Sequence, residues 1–242
     1  MDLASLKYSS TSLWLYGSHA RGDPDRESDL DVLAAADNPI SNEDFVKITG
    51  RSGLQRLAIS RYSWPEIEGM ASYGSLFLHH LRLEGKCLFE GLHSSGRLQS
   101  ILGSLGPYKH ACQDVRAFHV TVNDVRSSLN GGGSLFFELS VLATVLRHAS
   151  ILGCYLSNEP TFGRATPVRR LVDLWHLNPS TPDLFKRLYR YRLWSDQRSE
   201  EPTEISLTEA MDWCNRIESI LMELEDRAHE YEGELSRAAN IG

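Results

Sequence analysis

The chain has 242 residues, of which 41% are hydrophobic and 24% charged, and it carries a net charge of −7. That length allows one large domain or two smaller ones with a real core, and the negative balance excludes a general nucleic-acid coat protein. Cys87, Cys112, Cys154 and Cys214 are scattered, with no CxxC pair and no metal-type spacing, so they read as buried thiols in a reducing cytoplasm.

The N-terminal MDLASLKYSS lacks the apolar core of a secretory signal. The most apolar stretch, around 140–156, is interrupted by Arg147 and His148, so no membrane partner and a cytoplasmic location are expected. The charge is unevenly spread. Residues 1–94 hold 9 basic and 13 acidic side chains, residues 95–199 hold 13 and 7, and residues 200–234 hold 2 and 12. A basic middle followed by an acidic tail is more informative than the sum.

In chain order, Leu13 to Tyr16 is a short apolar run that reads as a buried strand. Gly17-Ser18 breaks it, and a polar loop rich in Asp, Arg and Pro follows. Ser28-Asp29-Leu30-Asp31-Val32-Leu33 then begins a second strand. Successive strand side chains point to opposite faces, so Asp29 and Asp31 share one face while Leu30 and Val32 take the other. Two adjacent carboxylates repel, and a hard divalent cation such as Mg²⁺ relieves the conflict by taking one or two carboxylates and completing its shell with phosphates and water. The bare backbone at Gly17 admits a phosphate closely, and the Ser18 hydroxyl can donate to it. The pattern points to a metal-bound nucleoside triphosphate.

Ser41 caps a short predicted helix through Thr49, and 57–63 is a predicted third strand. Pro65 opens a single predicted helix to about Leu83, with Ile67, Met70, Tyr73, Phe77 and Leu81 at helical spacing. Gly85 ends it, and Lys86 to Glu90 returns as a fourth strand. Beyond Ser94 strand signals vanish. Helices are predicted at about 96–104, 107–129, 134–156, 165–177, 182–195 and 206–238, the third being apolar on most sides and so the central helix of a bundle. The fold class is therefore α+β: a mixed α/β head over 1–94, followed by an α-helical bundle over 95–242.

Tyr16-Gly17-Ser18-His19-Ala20-Arg21-Gly22, with ten residues between Ser18 and Asp29-x-Asp31, resembles the nucleotidyltransferase superfamily that includes DNA polymerase beta. The closer resemblance is to its minimal and aminoglycoside nucleotidyltransferase branch. It covers about 25 residues closely and the first 94 loosely. By helix content and position alone, the second half resembles the HEPN-like bundles that accompany such heads. The resemblance implies that the head is a mixed-sheet unit, that Asp29 and Asp31 hold Mg²⁺ or Mn²⁺ and that Gly17 and Ser18 cradle the β- and γ-phosphates. It also implies that Arg21 contacts the triphosphate and that Ser28 caps the turn before the metal ligands. The implied reaction moves a nucleoside monophosphate from an NTP to a hydroxyl acceptor (RNA, protein or a small molecule) and releases pyrophosphate.

One departure from the family stands out. Active members carry a third carboxylate on the next strand, and here Leu57-Ala58-Ile59-Ser60-Arg61-Tyr62 has no Asp or Glu. Glu66 leaning in from just past that strand, a base from the helical domain or acceptor, and a catalytically silent nucleotide-binding regulatory or antitoxin-type module are the competing explanations. His79-His80 reads either as an acceptor-side base or a phosphate contact, or as one packed and one solvated imidazole, the last being favoured. Arg170 and His176 have a loose HEPN-ribonuclease spacing, with Leu171 where a polar residue is usual. Lys186 to Trp194, with Arg164, Arg169 and Arg170, suits either phosphate and base contacts or a bundle helix with snorkelling arginines. The run 200–234 reads as the solvated face of a last helix. Bundles of this kind often pair, so a homodimer is expected.

Overall fold

The structure is a computed structural model that describes residues 8–26, 28–50 and 56–239. The chain divides into two compact units, 1–109 and 110–242.

In the first unit the strands are β1 (Ser12–Tyr16), β2 (Leu30–Ala35), β3 (Leu57–Tyr62) and β4 (Lys86–Glu90), in the spatial order β3-β2-β1-β4. β1 runs antiparallel to both β2 and β4, while β2 and β3 are parallel, which makes the sheet mixed. The helices are α1 (Gly17–Arg21), α2 (Asn42–Thr49), α3 (Trp64–Ser72), α4 (Leu76–Glu84) and α5 (Arg97–Gly103). The central strands β1 and β2 are apolar on both faces because both are covered. On one face Trp14, Leu33 and Ala35 pack with Trp64 and Ile67 of α3, Leu78 and Leu81 of α4, and Leu98 and Leu102 of α5. On the other, Leu13, Leu15, Leu30, Val32 and Ala34 pack with Ala20, Ile40 and Phe45.

Several boundaries differ from the sequence reading, among them the second strand, which starts at Leu30 and not at Ser28. The segment after Gly17 is a five-residue helix rather than open loop. The predicted helix to Leu83 is two helices, broken at Gly74, which has φ +68°. A Cβ there would stand 2.2 Å from the Pro107 carbonyl oxygen, so a distant segment crossing this point interrupts the helix. The helix expected from 107 starts at Ala111, because 105–109 belong to the head: Leu105 is in its core and the Lys109 N–H donates to the Tyr73 carbonyl at 3.0 Å.

The second unit is all helical: α6 (Ala111–Asn130), α7 (Leu135–Leu156), α8 (Thr166–Trp175), α9 (Thr181–Ser195) and α10 (Leu207–Ala239). α7 packs against all four others. It is long and apolar enough to cross a membrane, but 56% of its most apolar stretch is buried inside the protein, as befits a core helix. Ser134 caps it through the Phe137 N–H. Gly153 lets α8 approach, since a Cβ there would lie 2.6 Å from Leu171 Cδ1. Cys112, Cys154 and Cys214 are buried free thiols; Cys87, expected to be buried, is exposed on the edge strand β4.

Candidate functional site

β1 delivers Tyr16 into the register position opposite Asp31 of β2. The chain then turns at Gly17 with φ +72°, a backbone conformation that glycine adopts without steric cost. The turn brings the Gly17 Cα against the Asp31 carboxylate: a Cβ at position 17 would stand 2.7 Å from Asp31 Oδ2. Asp29 lies one residue before β2, outside the strand itself, and Asp31 is its second residue. Both carboxylates are half-buried. The Ser18 carbonyl accepts from the N–H groups of Gly22 and Asp23 at 2.9 and 3.0 Å and so closes α1. Ser28 Oγ accepts from the Asp25 N–H at 2.9 Å and donates to Asp25 Oδ1 at 2.8 Å, which ties the loop just ahead of Asp29.

Arg21 does not sit loose on the loop surface. Its Nε donates to Asp23 Oδ1 at 3.2 Å, and its Nη1 donates to Glu84 Oε2 at 2.7 Å. Burial lowers the Arg21 pKa, but Glu84 and Asp23 more than reverse this and raise it. Glu84, at the end of α4, also receives His80 Nε2 at 2.7 Å. Burial pushes the Glu84 carboxyl up, yet His80 and Arg21 outweigh it and hold it below the usual carboxylate range. His80 stands edge-on to Tyr16 with ring centroids 5.5 Å apart. The expectation of one packed and one solvated imidazole is therefore corrected. His79 is buried between Arg82 and the Gly106 carbonyl, with its pKa lowered by burial and by Arg82, and His80 is engaged by Glu84 and Tyr16 rather than by solvent. Nothing in the local sequence pattern singled out Glu84; an i,i+4 pairing with His80 on a helix was the one available signal.

Glu66 is not brought to the carboxylate pair. β2 and β3 are parallel, and Asp31 is level with Ala58, so Tyr62 lies roughly 13 Å further along the strand and Glu66 lies beyond that. Its carboxylate instead accepts from the Ser63 N–H at 2.6 Å and from Ser63 Oγ at 2.8 Å, forming the capping box of α3. Those hydrogen bonds lower its pKa. On the Asp31 face, β3 offers Ala58 and Ser60, and Ser60 Oγ hydrogen-bonds the Tyr16 hydroxyl at 2.9 Å. Burial raises the Tyr16 pKa, and Asp31 adds to the effect.

Among the described residues, no three His, Cys, Asp or Glu side chains gather into an all-protein metal cage. The donor set at Asp29 and Asp31 suits an ion that completes its shell from phosphate oxygens and water. In the second unit, Arg170 is tied to Glu159, with Nε 2.7 Å from Oε2, and His176 is the left-handed C-cap of α8. Arg187 stacks over Trp213 at 4.6 Å and pairs with Glu209 at 2.7 Å, and Arg164 stacks over Tyr189 at 5.2 Å. Much of the basic, aromatic stretch is therefore bundle packing. An open groove lined by Ser134, Phe137, Trp194 and Gln197 also lies in this unit and includes neither Asp29 nor Asp31.

The nucleotidyltransferase domain family matches residues 2–57, the stretch that contains β1, α1, β2 and α2. No curated protein matches the chain. Among solved structures, a nucleotidyltransferase-like protein from Exiguobacterium sibiricum is similar at a TM-score of 0.42 and 13% identity, covering 96% of this chain and 76% of that one. The N-terminal stretch thus matches the nucleotidyltransferase domain family, and that match supports nucleotidyl transfer as a general class of function.

Proposed function

We propose that the protein transfers a nucleoside monophosphate from an NTP to a hydroxyl acceptor, with Mg²⁺ or Mn²⁺ as cofactor. The observation that carries this reading is the Asp31 carboxylate seated against the side-chain-free Cα of Gly17, which sets a carboxylate suited to a cation beside a turn whose bare backbone suits a phosphate. Asp29 and Asp31 hold the cation, Gly17 and Ser18 receive the β- and γ-phosphates, Arg21 neutralises triphosphate charge, and Ser28 steadies the loop. Bound there, the cation supplies charge neutralisation at the attacking and leaving oxygens. The acceptor oxygen bonds to the α-phosphorus while its hydroxyl proton passes to solvent water, the bond from the α-phosphorus to the bridging oxygen breaks, and pyrophosphate leaves. The basic balance of residues 95–199 favours a macromolecular acceptor, RNA or protein, over a polycationic aminoglycoside.

The test is label transfer from each α-labelled NTP with Mg²⁺ or Mn²⁺, in the presence of cell RNA and protein. Transfer by the wild type that is lost in Asp29→Asn and Asp31→Asn supports the enzyme. A second reading, a silent nucleotide-binding module of regulatory or antitoxin type, draws on Ala58 beside Asp31 and on Ser60 being bonded to Tyr16. It predicts NTP binding with no transfer to any acceptor.

A further inference from the structure

The Arg21 guanidinium is anchored along one edge. Nε faces Asp23 and Nη1 donates to Glu84, so among the described residues these contacts engage two of its five N–H groups. The two partners differ in kind. Asp23 is a loop neighbour with 59% of its side chain exposed, and such pairs fix little. Glu84 is 13% exposed, comes from α4, and is braced by His80, which itself packs edge-on against Tyr16, the residue that leads into Gly17. The carboxylate is therefore placed by its helix and by His80 before it meets Arg21.

We propose that Glu84 is a positioning residue for phosphate binding: braced by His80, it holds Arg21 beside the Gly17-Ser18 turn with the remaining N–H edge of the guanidinium presented to a triphosphate. This rests on the nucleotidyl-transfer reading of the same turn. An arginine held in advance has already given up rotamer freedom that a loose one surrenders on binding. By charge alone, Glu84 opposes a polyanion. Positioning and repulsion thus predict opposite signs when the charge is removed without changing the shape.

The experiment titrates the full chain with Mg²⁺-tripolyphosphate and with the Mg²⁺ complexes of ATP, GTP, CTP and UTP, following Kd by calorimetry and the fold by thermal melting. Glu84→Gln is expected to weaken binding about tenfold, a loss of the size preorganisation supplies. The weakening is lost in an Arg21→Ala background, where only the repulsion between Glu84 and the polyanion remains and Glu84→Gln leaves binding unchanged or tighter, as a double-mutant cycle requires of a residue acting through another. His80→Asn, which loosens only the brace, weakens binding in the same direction and by less. The Arg21 Nε–H resonance is expected to be sharp in the wild type and to broaden in Glu84→Gln, and equal line widths in the two overturn the holding role. Unchanged or tighter binding by Glu84→Gln, or equal weakening with Arg21 absent, overturns the role of Glu84 and leaves nucleotide binding intact. A wild type that binds none of the five probes overturns the nucleotidyl-transfer reading and the proposal with it.

Discussion

Gly17 meets two demands at once, a positive φ and the close approach of the Asp31 carboxylate. Gly17→Ala is expected to cost about 1–2 kcal/mol of stability from the left-handed backbone alone. Because the new methyl also displaces the Asp31 oxygen, label transfer should fall to background while the melt stays cooperative. Glu84 makes a second prediction through linkage. Its carboxyl is held below the ordinary value by His80 and Arg21 against the opposing effect of burial, so the unfolded chain takes up this proton first as pH falls. The stability it contributes is fully present above the ordinary glutamate range and is lost as pH drops through the lower folded value. Denaturant unfolding of wild type against Glu84→Gln should show curves that converge on the acid side and separate above it.

The helices of the head are held by local devices that serve packing. α3 begins with the Ser63–Glu66 capping box, with Trp64 and Ile67 buried behind it. Ser63→Ala should cost about 1 kcal/mol, the usual value of such a cap. Glu66→Gln should lower the melting temperature slightly and leave label transfer unchanged. Loss of transfer in Glu66→Gln would show that this carboxylate does reach the pair at Asp29 and Asp31. The break between α3 and α4 has a different origin: both halves have apolar residues at helical spacing, and the interruption comes from 106–107 passing over Gly74. Periodicity along a segment carries no information about a chain that crosses it from thirty residues away.

At the scale of the molecule, the change in composition at 94 and the change in packing at 109 are separate events. Strand signals end at the first, but Leu98, Leu102 and Leu105 are buried in the core of the head. Each such leucine contributes about 1.5–3 kcal/mol when buried, against a total stability of about 5–15 kcal/mol for a domain. A fragment of residues 1–109 should therefore melt cooperatively by circular dichroism, and a fragment of 1–94 should not. A cooperative melt of 1–94 would show that α5 is dispensable to the head.

The sequence alone determined the mixed α+β head, the helical second half, and the turn-and-carboxylate pattern of Gly17, Ser18, Asp29 and Asp31. All of these follow from local periodicity and from spacing within a short stretch, and they depend little on what packs around them. The Ser63–Glu66 capping box is a local signature that the residues themselves spell, whereas only the tertiary structure decided that Glu84 and His80 are the groups meeting Arg21 and Tyr16 and that Cys87 is exposed. Those outcomes rest on strand register and on contacts between residues 63 positions apart, and neither is written in the neighbours of any one residue.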